Sequence, residues 1–389
     1  MLPEPDEIAR AHSERMRAHI AAEIAAQGPI PFQRYMELAL YAPGLGYYAA
    51  GTRKFGVGGD FVTAPELGEV YAGALAATLA DTLRHFETPV LMEIGAGSGA
   101  LAAGLLPALQ KLDALPTRYR ILERSADLRE RQQTRLAMLE PGLAARVDWL
   151  DTPAGESFDG AILANEVLDA LACARFELAD EGFFEIRVDV AGTRFVECLA
   201  PPRPQLSRAL AHLQAELPVA LPVGTRSEIL PELGAWLAAV TAPLRRGLVL
   251  LSDYGYGRSE YYRPERHDGT LICHYRQYAH ADPYWYPGLN DLSASVDFTA
   301  LAEAGIDAGF ELLAYDHQAG FLLASGIEAL QEQLQELGDR ARLRLSGELK
   351  RLLLPGEMGE RFKWMLLGRG VDSHLLPPRL CAAGQRHLL

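Results

Sequence analysis

"PVLMEIGAGSGAL", residues 89–101, decides the fold. Val90–Ile94 reads as a buried apolar strand, glycines follow at 95, 97 and 99, and the Ala-Leu pair after them opens a helix. Residues without a Cβ let the backbone turn sharply and approach a ligand closely. The spacing is G-x-G-x-G. The dinucleotide-binding fingerprint needs G-x-G-x-x-G, and Ala100 stands where its last glycine would be.

Working outward, "YRILER" (119–124), "RVDWLD" (146–151) and "FDGAILANEV" (158–167) read as further strands. Helical patterns over about 99–111 and 126–139 lie between them. This βαβαβ alternation predicts a doubly wound parallel sheet. "GLVLLSDYGYG" (247–257) is another strand, "VDFTALAEAGIDAG" a helix, and "FELLAYDHQAGFLLASG" reads as two strands joined by a tight turn. A Rossmann-like α/β sheet ending in a C-terminal antiparallel hairpin is the layout of class I methyltransferases rather than dehydrogenases.

Upstream, residues 6–27 carry a helical apolar period stopped by Gly28-Pro29, and "IPFQRYMELALYA" suggests a second short helix. Residues 43–68 are rich in glycine and aromatics and suit a lid loop. Thr63 followed by Glu66 is a capping-box pattern and predicts one helix running to about His85. The expected organisation is an N-terminal helical segment with this loop over 1–87, then the methyltransferase domain over 88–389. That domain carries insertions at about 175–245, with a hairpin and helices, and at 258–296, a long aromatic loop of the kind that is usually functional.

Candidate ligand contacts follow from the strand ends. Glu93 is an acid two residues before Gly95, placed to hold the cationic methionine end of S-adenosylmethionine. The turn Gly95, Ala96, Gly97, Ser98 and Gly99 forms the cradle. Glu123 ends the second strand and can accept hydrogen bonds from both ribose hydroxyls. Trp149 ends the third, near where adenine would lie, although core packing is as natural a use for it. Asp60 and Thr63 of the Gly-rich loop join the cofactor set. Glycine turn plus acid also occurs in NAD sites; the spacing, Glu93 and the expected hairpin favour S-adenosyl-L-methionine as the cofactor.

Asn165-Glu166 is a polar pair where an apolar strand runs out. In open α/β sheets ligands bind at that end. The pair is expected to face the transferred methyl, Asn165 touching cofactor as well. The structural alternative is an acid capping a following helix, "VLDAL". Glu66 or Asp60 of the "GDFVTAPE" loop, or Asp253 after the next strand, is the acid expected to partner Glu166 in a substrate clamp. His274, Tyr275 and Arg276 are candidate substrate contacts. The "GDFVTAPE" segment and the 258–296 loop are expected to line one cleft with the strand ends at Gly95 and Asn165. His267, Cys273, His274 and His280 match no zinc spacing, so no metal is expected.

The chain has 389 residues, 37 basic against 51 acidic, net −14. Nucleic-acid binding needs a basic face that no Lys/Arg block supplies. Four scattered cysteines form no C-x-x-C pair, which suits a reducing cytoplasm. Neither a secretory signal nor a stretch of membrane-spanning length is seen.

The segments "GPIPFQRYMELALYAPGLGYYAAG", "FGVGGDFVTAPELG", "EIGAGSGAL", "YRILERSADLRERQ", "ANEVLDAL", "DYGY", "GTLICHYRQ", "DLSASVDFTALA" and "RLLLPGEMGERFKWM" run from residue 28 to about 365. On them the chain resembles the MidA-like family, whose mitochondrial members assist respiratory complex I assembly by methylating a protein arginine. The resemblance implies a class I fold, S-adenosylmethionine and a protein substrate with an accessible arginine. Ala172 and Ala174 stand where the family pattern has Pro and His, and Ser295 where it has His; the cofactor motifs are intact. A cofactor-binding assembly chaperone without catalysis and a small-molecule N- or O-methyltransferase are the alternatives, and a homodimer stays open.

Overall fold

The computed structural model describes residues 2–50, 63–153, 155–327, 338–382 and 384–389. The chain divides into two compact units. One comprises Met1–Phe61, Asp169–Leu233 and Tyr256–Asp297, the other Val62–Leu168, Gly234–Gly255 and Phe298–Leu389.

The second unit holds the glycine turn. Its elements include α1 (Ala64–Leu67), α2 (Glu69–His85), β1 (Val90–Ile94), α3 (Ala100–Lys111), β2 (Arg118–Leu122), α4 (Ala126–Leu136), β3 (Val147–Leu150), β4 (Phe158–Asn165), β5 (Leu244–Tyr256), α5 (Phe298–Asp307), β6 (Glu311–His317), α6 (Gln318–Ala324), α7 (Asp339–Leu353) and β7 (Phe362–Arg369). The sheet order is β6-β7-β5-β4-β1-β2-β3. From β5 to β3 every pair is parallel, while β7 runs antiparallel to both β5 and β6. β1 is buried at every residue, as a central parallel strand covered on both faces requires. Leu91, Ile121 and Leu163 of the sheet share one core with Leu75 and Leu79 of α2 and with Leu101, Leu105 and Leu109 of α3.

Register aligns the strand ends. Ile94 pairs with Leu122 and Ala164, and Leu122 with Leu150. Gly95, Glu123 and Asn165 therefore emerge side by side. β1 leads to β2 on one flank and β4 lies on its other flank, so the chain reverses its winding there. Such switch points are where open α/β sheets bind ligands.

The expected α/β class is what the chain forms, with several local differences. The predicted helix from Thr63 to His85 is two helices broken at Gly68, whose φ of 155° ends α1. Thr63 makes no side-chain cap; instead Glu348 of α7 accepts from the Val70 backbone N–H at 2.7 Å. A Cβ on Gly68 would run into that Glu348 carboxylate. "GFLLA" is helical within α6, and the second strand of the antiparallel pair is β7, some forty residues later. β-sheet length and apolar run cannot be told from a short buried helix by pattern alone. "VLDAL" forms a turn, not a helix.

The first unit has its own sheet and core. Its helices Glu7–Gln27 and Phe32–Tyr41 share a core with Val188, Cys273 and Leu292. Its five-stranded sheet includes Ala174–Ala179, Gly182–Ala191 and Arg194–Ala200. The stretch 258–296 is not a bare loop: it contains the three-stranded sheet of Ile272–Tyr275, Tyr278–His280 and Asp291–Ser293. The expected boundary at 87/88 and the two units cut the chain in different places. Of the regions expected as insertions, 175–233 and 258–296 fall in the first unit with the N-terminal helices and 234–245 in the second, where α2 packs on α3.

Candidate active site

The turn after β1 uses its glycines. Gly95, Gly97 and Gly99 have φ of 63°, 52° and 79°, a region that side chains disfavour. A Cβ on Gly95 would lie 3.0 Å from Val167 Cγ2, so the turn after β1 touches the turn after β4.

Glu93 is 3% exposed and accepts a 2.6 Å hydrogen bond from the Tyr119 hydroxyl. Tyr119 lies on the neighbouring strand two residues before Ile121, the register partner of Glu93, and so on the same face. Burial pushes the Glu93 carboxyl up to about 7; the Tyr119 bond opposes this and nearby Glu123 adds to it. None of these influences is cationic. A ligand ammonium here would supply the missing countercharge.

Glu123 is also buried, and burial raises its pKa against the pull of the Ser125 backbone N–H. It accepts from Ser125 N at 2.8 Å and from Gln132 Nε2 at 3.1 Å. Gln132 is the hub sequence reading missed. It is fully buried on α4, donates also to the Gly97 carbonyl at 3.0 Å, and accepts from the Trp149 indole at 2.9 Å. One amide thus ties glycine turn, acid and Trp149 together. The signal was present: Leu128, Gln132 and Leu136 follow at i, i+4, i+8 on one buried stripe.

Glu66, on α1, accepts from the Ser98 hydroxyl and from Arg135 at 3.0 Å. Arg135 also donates to Ser98 Oγ at 2.8 Å. Glu66 is therefore engaged with the glycine turn. Asp253 is fully buried and accepts from Leu168 N and Tyr254 N, each at 2.9 Å. Its carboxylate fastens the turn that follows Glu166.

Glu166 has φ of 54°, unusual for a residue with a side chain, while its N–H donates to the Ser252 carbonyl at 2.8 Å. Its Oε1 accepts from Ala64 N at 3.1 Å and from Asn165 Nδ2 at 3.3 Å. The acid receives the first amide of α1 rather than capping a helix of its own. Asn165 Oδ1 accepts from the hydroxyl of Tyr71, a second residue not anticipated.

Thr63 directly precedes α1, Ala96 and Ser98 lie within the turn, and Asp60 falls outside the described residues, as does the first half of "GDFVTAPE". His274, Tyr275 and Arg276 belong to the first unit. Tyr275 is buried edge-on against Trp285 at 5.0 Å, and Arg276 reaches Asp6 at 3.5 Å. Tyr275 thus packs within that small sheet. No helix among the described residues is long and apolar enough to cross a membrane.

This strand order, with a glycine cradle and buried acids at successive strand ends, defines a class I methyl-transfer fold. Residues 74–315 match the S-adenosyl-L-methionine-dependent methyltransferase family, and the chain belongs to it. A crystal structure from Burkholderia thailandensis bound to S-adenosyl-homocysteine is 41% identical, covers 100% of both chains and superposes with a TM-score of 0.91. A Drosophila melanogaster protein named protein arginine methyltransferase NDUFAF7 homolog, mitochondrial, is 29% identical over 96% of this chain and 89% of its own. The Mus musculus protein arginine methyltransferase NDUFAF7 is 28% identical, covering 90% and 84% respectively. The chain is similar to these proteins. Its cofactor is S-adenosyl-L-methionine, and its activity is methyl transfer.

Proposed function

We propose that the methyl acceptor is an arginine side chain of a protein, and that Glu166 is the carboxylate that receives it. The observation that carries this is the left-handed Glu166 at the end of β4, its following residue in contact range of Gly95. Strained backbone at a ligand-binding strand end is retained where the side chain has a task. The names of the Drosophila melanogaster and Mus musculus relatives support the same acceptor class.

The bound cofactor supplies an electrophilic methyl group. The protein has to hold and aim. Glu93 would take the methionine ammonium and Glu123 the ribose hydroxyls, the Gly95–Gly99 backbone would admit the chain between them, and Trp149 would serve the adenine. Guanidinium has no readily available lone pair, and its charge is spread over three nitrogens. A paired carboxylate orients the plane and concentrates positive charge away from the nitrogen that attacks. Asn165 orients Glu166. Glu66 and Asp253 serve as framework: one holds α1 against Ser98, the other fixes Leu168. The proposal extends to a respiratory-complex subunit as client and a cytoplasmic setting.

The test is transfer of labelled methyl from S-adenosylmethionine into lysate proteins, followed by acid hydrolysis and mass spectrometry. Methylarginine in the labelled protein is expected. Label confined to lysine, carboxyl groups or small molecules would refute the arginine reading.

A further inference from the structure

We infer that Tyr71 is a positioning residue for methyl transfer: its hydroxyl fixes which way the Asn165 amide faces and, through it, where Glu166 points. The inference rests on the reading of Asn165-Glu166 as the methyl-facing pair.

The donor and acceptor inventory carries it. An ionised Glu166 only accepts, so the Asn165 atom that meets its Oε1 has to be the amide nitrogen, 3.3 Å away. That leaves the amide oxygen to Tyr71, and the Tyr71 hydroxyl has to donate to it. The Tyr71 hydroxyl also meets the Ser252 side chain, so donating to Asn165 leaves its oxygen to accept there. A flipped amide would set oxygen against carboxylate at one end and leave the phenol to accept at the other.

The phenol is held for this purpose. Tyr71 is fully buried near the start of α2, and its ring packs 5.5 Å from that of Trp364 on β7. Burial pushes its hydroxyl well above the usual tyrosine range, so it stays protonated and able to donate. Glu348 fixes that turn of helix by accepting from Val70 N, one residue before Tyr71. α1, on the other side of Gly68, gives its Ala64 N–H to Glu166 Oε1. Two independent contacts thus converge on one carboxylate oxygen, and Tyr71 decides the one that a rotating amide would otherwise lose.

The test uses sinefungin, which carries an ammonium-bearing carbon where S-adenosylmethionine carries its sulfonium methyl, with S-adenosyl-homocysteine as the reference lacking that group. It requires no methyl acceptor, so its outcome is separate from that of the arginine reading. Tyr71→Phe keeps the ring and removes only the hydroxyl. Calorimetry is expected to show sinefungin binding weakened about tenfold, the scale of one hydrogen bond to a charged group. S-adenosyl-homocysteine affinity and melting temperature should hold. Asn165→Ala should cause the same selective loss, and adding Tyr71→Phe to it should cost nothing more, since coupled residues are non-additive. Equal losses from Tyr71→Phe in both backgrounds, or equal losses for both ligands, would make Tyr71 merely structural. A full effect of Asn165→Ala with a silent Tyr71→Phe would overturn the inference alone. An Asn165→Ala protein that binds both ligands normally would remove the methyl-facing reading and the inference with it, even if Tyr71→Phe failed to fold.

Discussion

Replacing Glu93 with glutamine separates what this acid costs the fold from what it gives the ligand. Burial carries its pKa from 4.5 to about 7. A shift of that size corresponds to roughly 3 kcal/mol. The folded protein binds the proton more tightly than the unfolded chain. Between about pH 4.5 and 7 the native state therefore holds more protons, and stability falls as pH rises through that window. Glu93→Gln lacks this slope, while its side-chain oxygen can still accept from Tyr119. Wild type and variant should melt together near pH 4.5, and the variant should gain as pH rises, by up to about 3 kcal/mol and several degrees at pH 8. Ligand binding should move the other way. The methionine ammonium favours ionised Glu93, so wild-type affinity for S-adenosyl-homocysteine should rise from pH 6 to 8, with protons released on binding below pH 7. The variant should bind weakly with no such dependence. Melting scans and calorimetry in buffers of different ionisation heat read both effects. A flat wild-type affinity without proton release would place the ammonium elsewhere. A variant no more stable at pH 8 than wild type would refute the cost assigned to burial.

Three further outcomes are expected. Glu166→Gln keeps an acceptor for Ala64 and Asn165 but loses the charge, so cofactor affinity and melting temperature should hold while single-turnover transfer to the labelled acceptor falls by ~10²-fold or more; normal transfer would reduce Glu166 to a holder of α1. Gly95→Ala forces a side chain into φ of 63° and against Val167, so it should lower stability by roughly 1–3 kcal/mol and abolish S-adenosyl-homocysteine binding; retained binding would mean the turn can shift freely. Asp159 is held well below the usual carboxylate range by Arg245 and Arg246. Its contribution is present above the unfolded value near 4 and is lost as pH falls further. Acid unfolding of Asp159→Asn followed by circular dichroism should therefore be less steep below pH 4 than wild type, and an unchanged slope would deny the pairing a role.

How far the sequence foretold the structure depends on the range of the interactions involved. The parallel strands were legible because apolar runs, glycine turns and helical periods alternate locally. The partner of β6 was not. β7 pairs with it from some forty residues away, and "GFLLASG" offers the same apolar run whether it forms strand or helix. The break at Gly68 was hidden for a related reason. Thr63 and Glu66 present a good local cap, but the cap actually used comes from Glu348, far along the chain. The first unit gathers three distant stretches around Phe32, Val188 and Cys273, and no local pattern announces that they meet.

The site divides along the same line. Glu93, Glu123, Asn165 and Glu166 stood out because a polar residue at the end of an apolar strand needs a reason. Gln132, Tyr119 and Tyr71 did not, since each occupies a buried position on an otherwise ordinary amphipathic element. Yet these set the chemistry of the visible residues: Tyr119 tempers Glu93, Gln132 spans Glu123 and Trp149, and Tyr71 orients Asn165. Glu66 and Asp253 show the limit from the other side. Both are acids near strand ends or turns, and both spend their oxygens on the protein itself, Glu66 on Ser98 and Arg135, Asp253 on two backbone amides. A carboxylate's position can be read from sequence, but its availability depends on donors that only the fold brings near. Glu166 likewise meets two protein donors, but in a left-handed backbone conformation that neither Glu66 nor Asp253 adopts and that a mere cap would not require. That combination separates it from the other acids and makes it the one whose charge the reaction should miss.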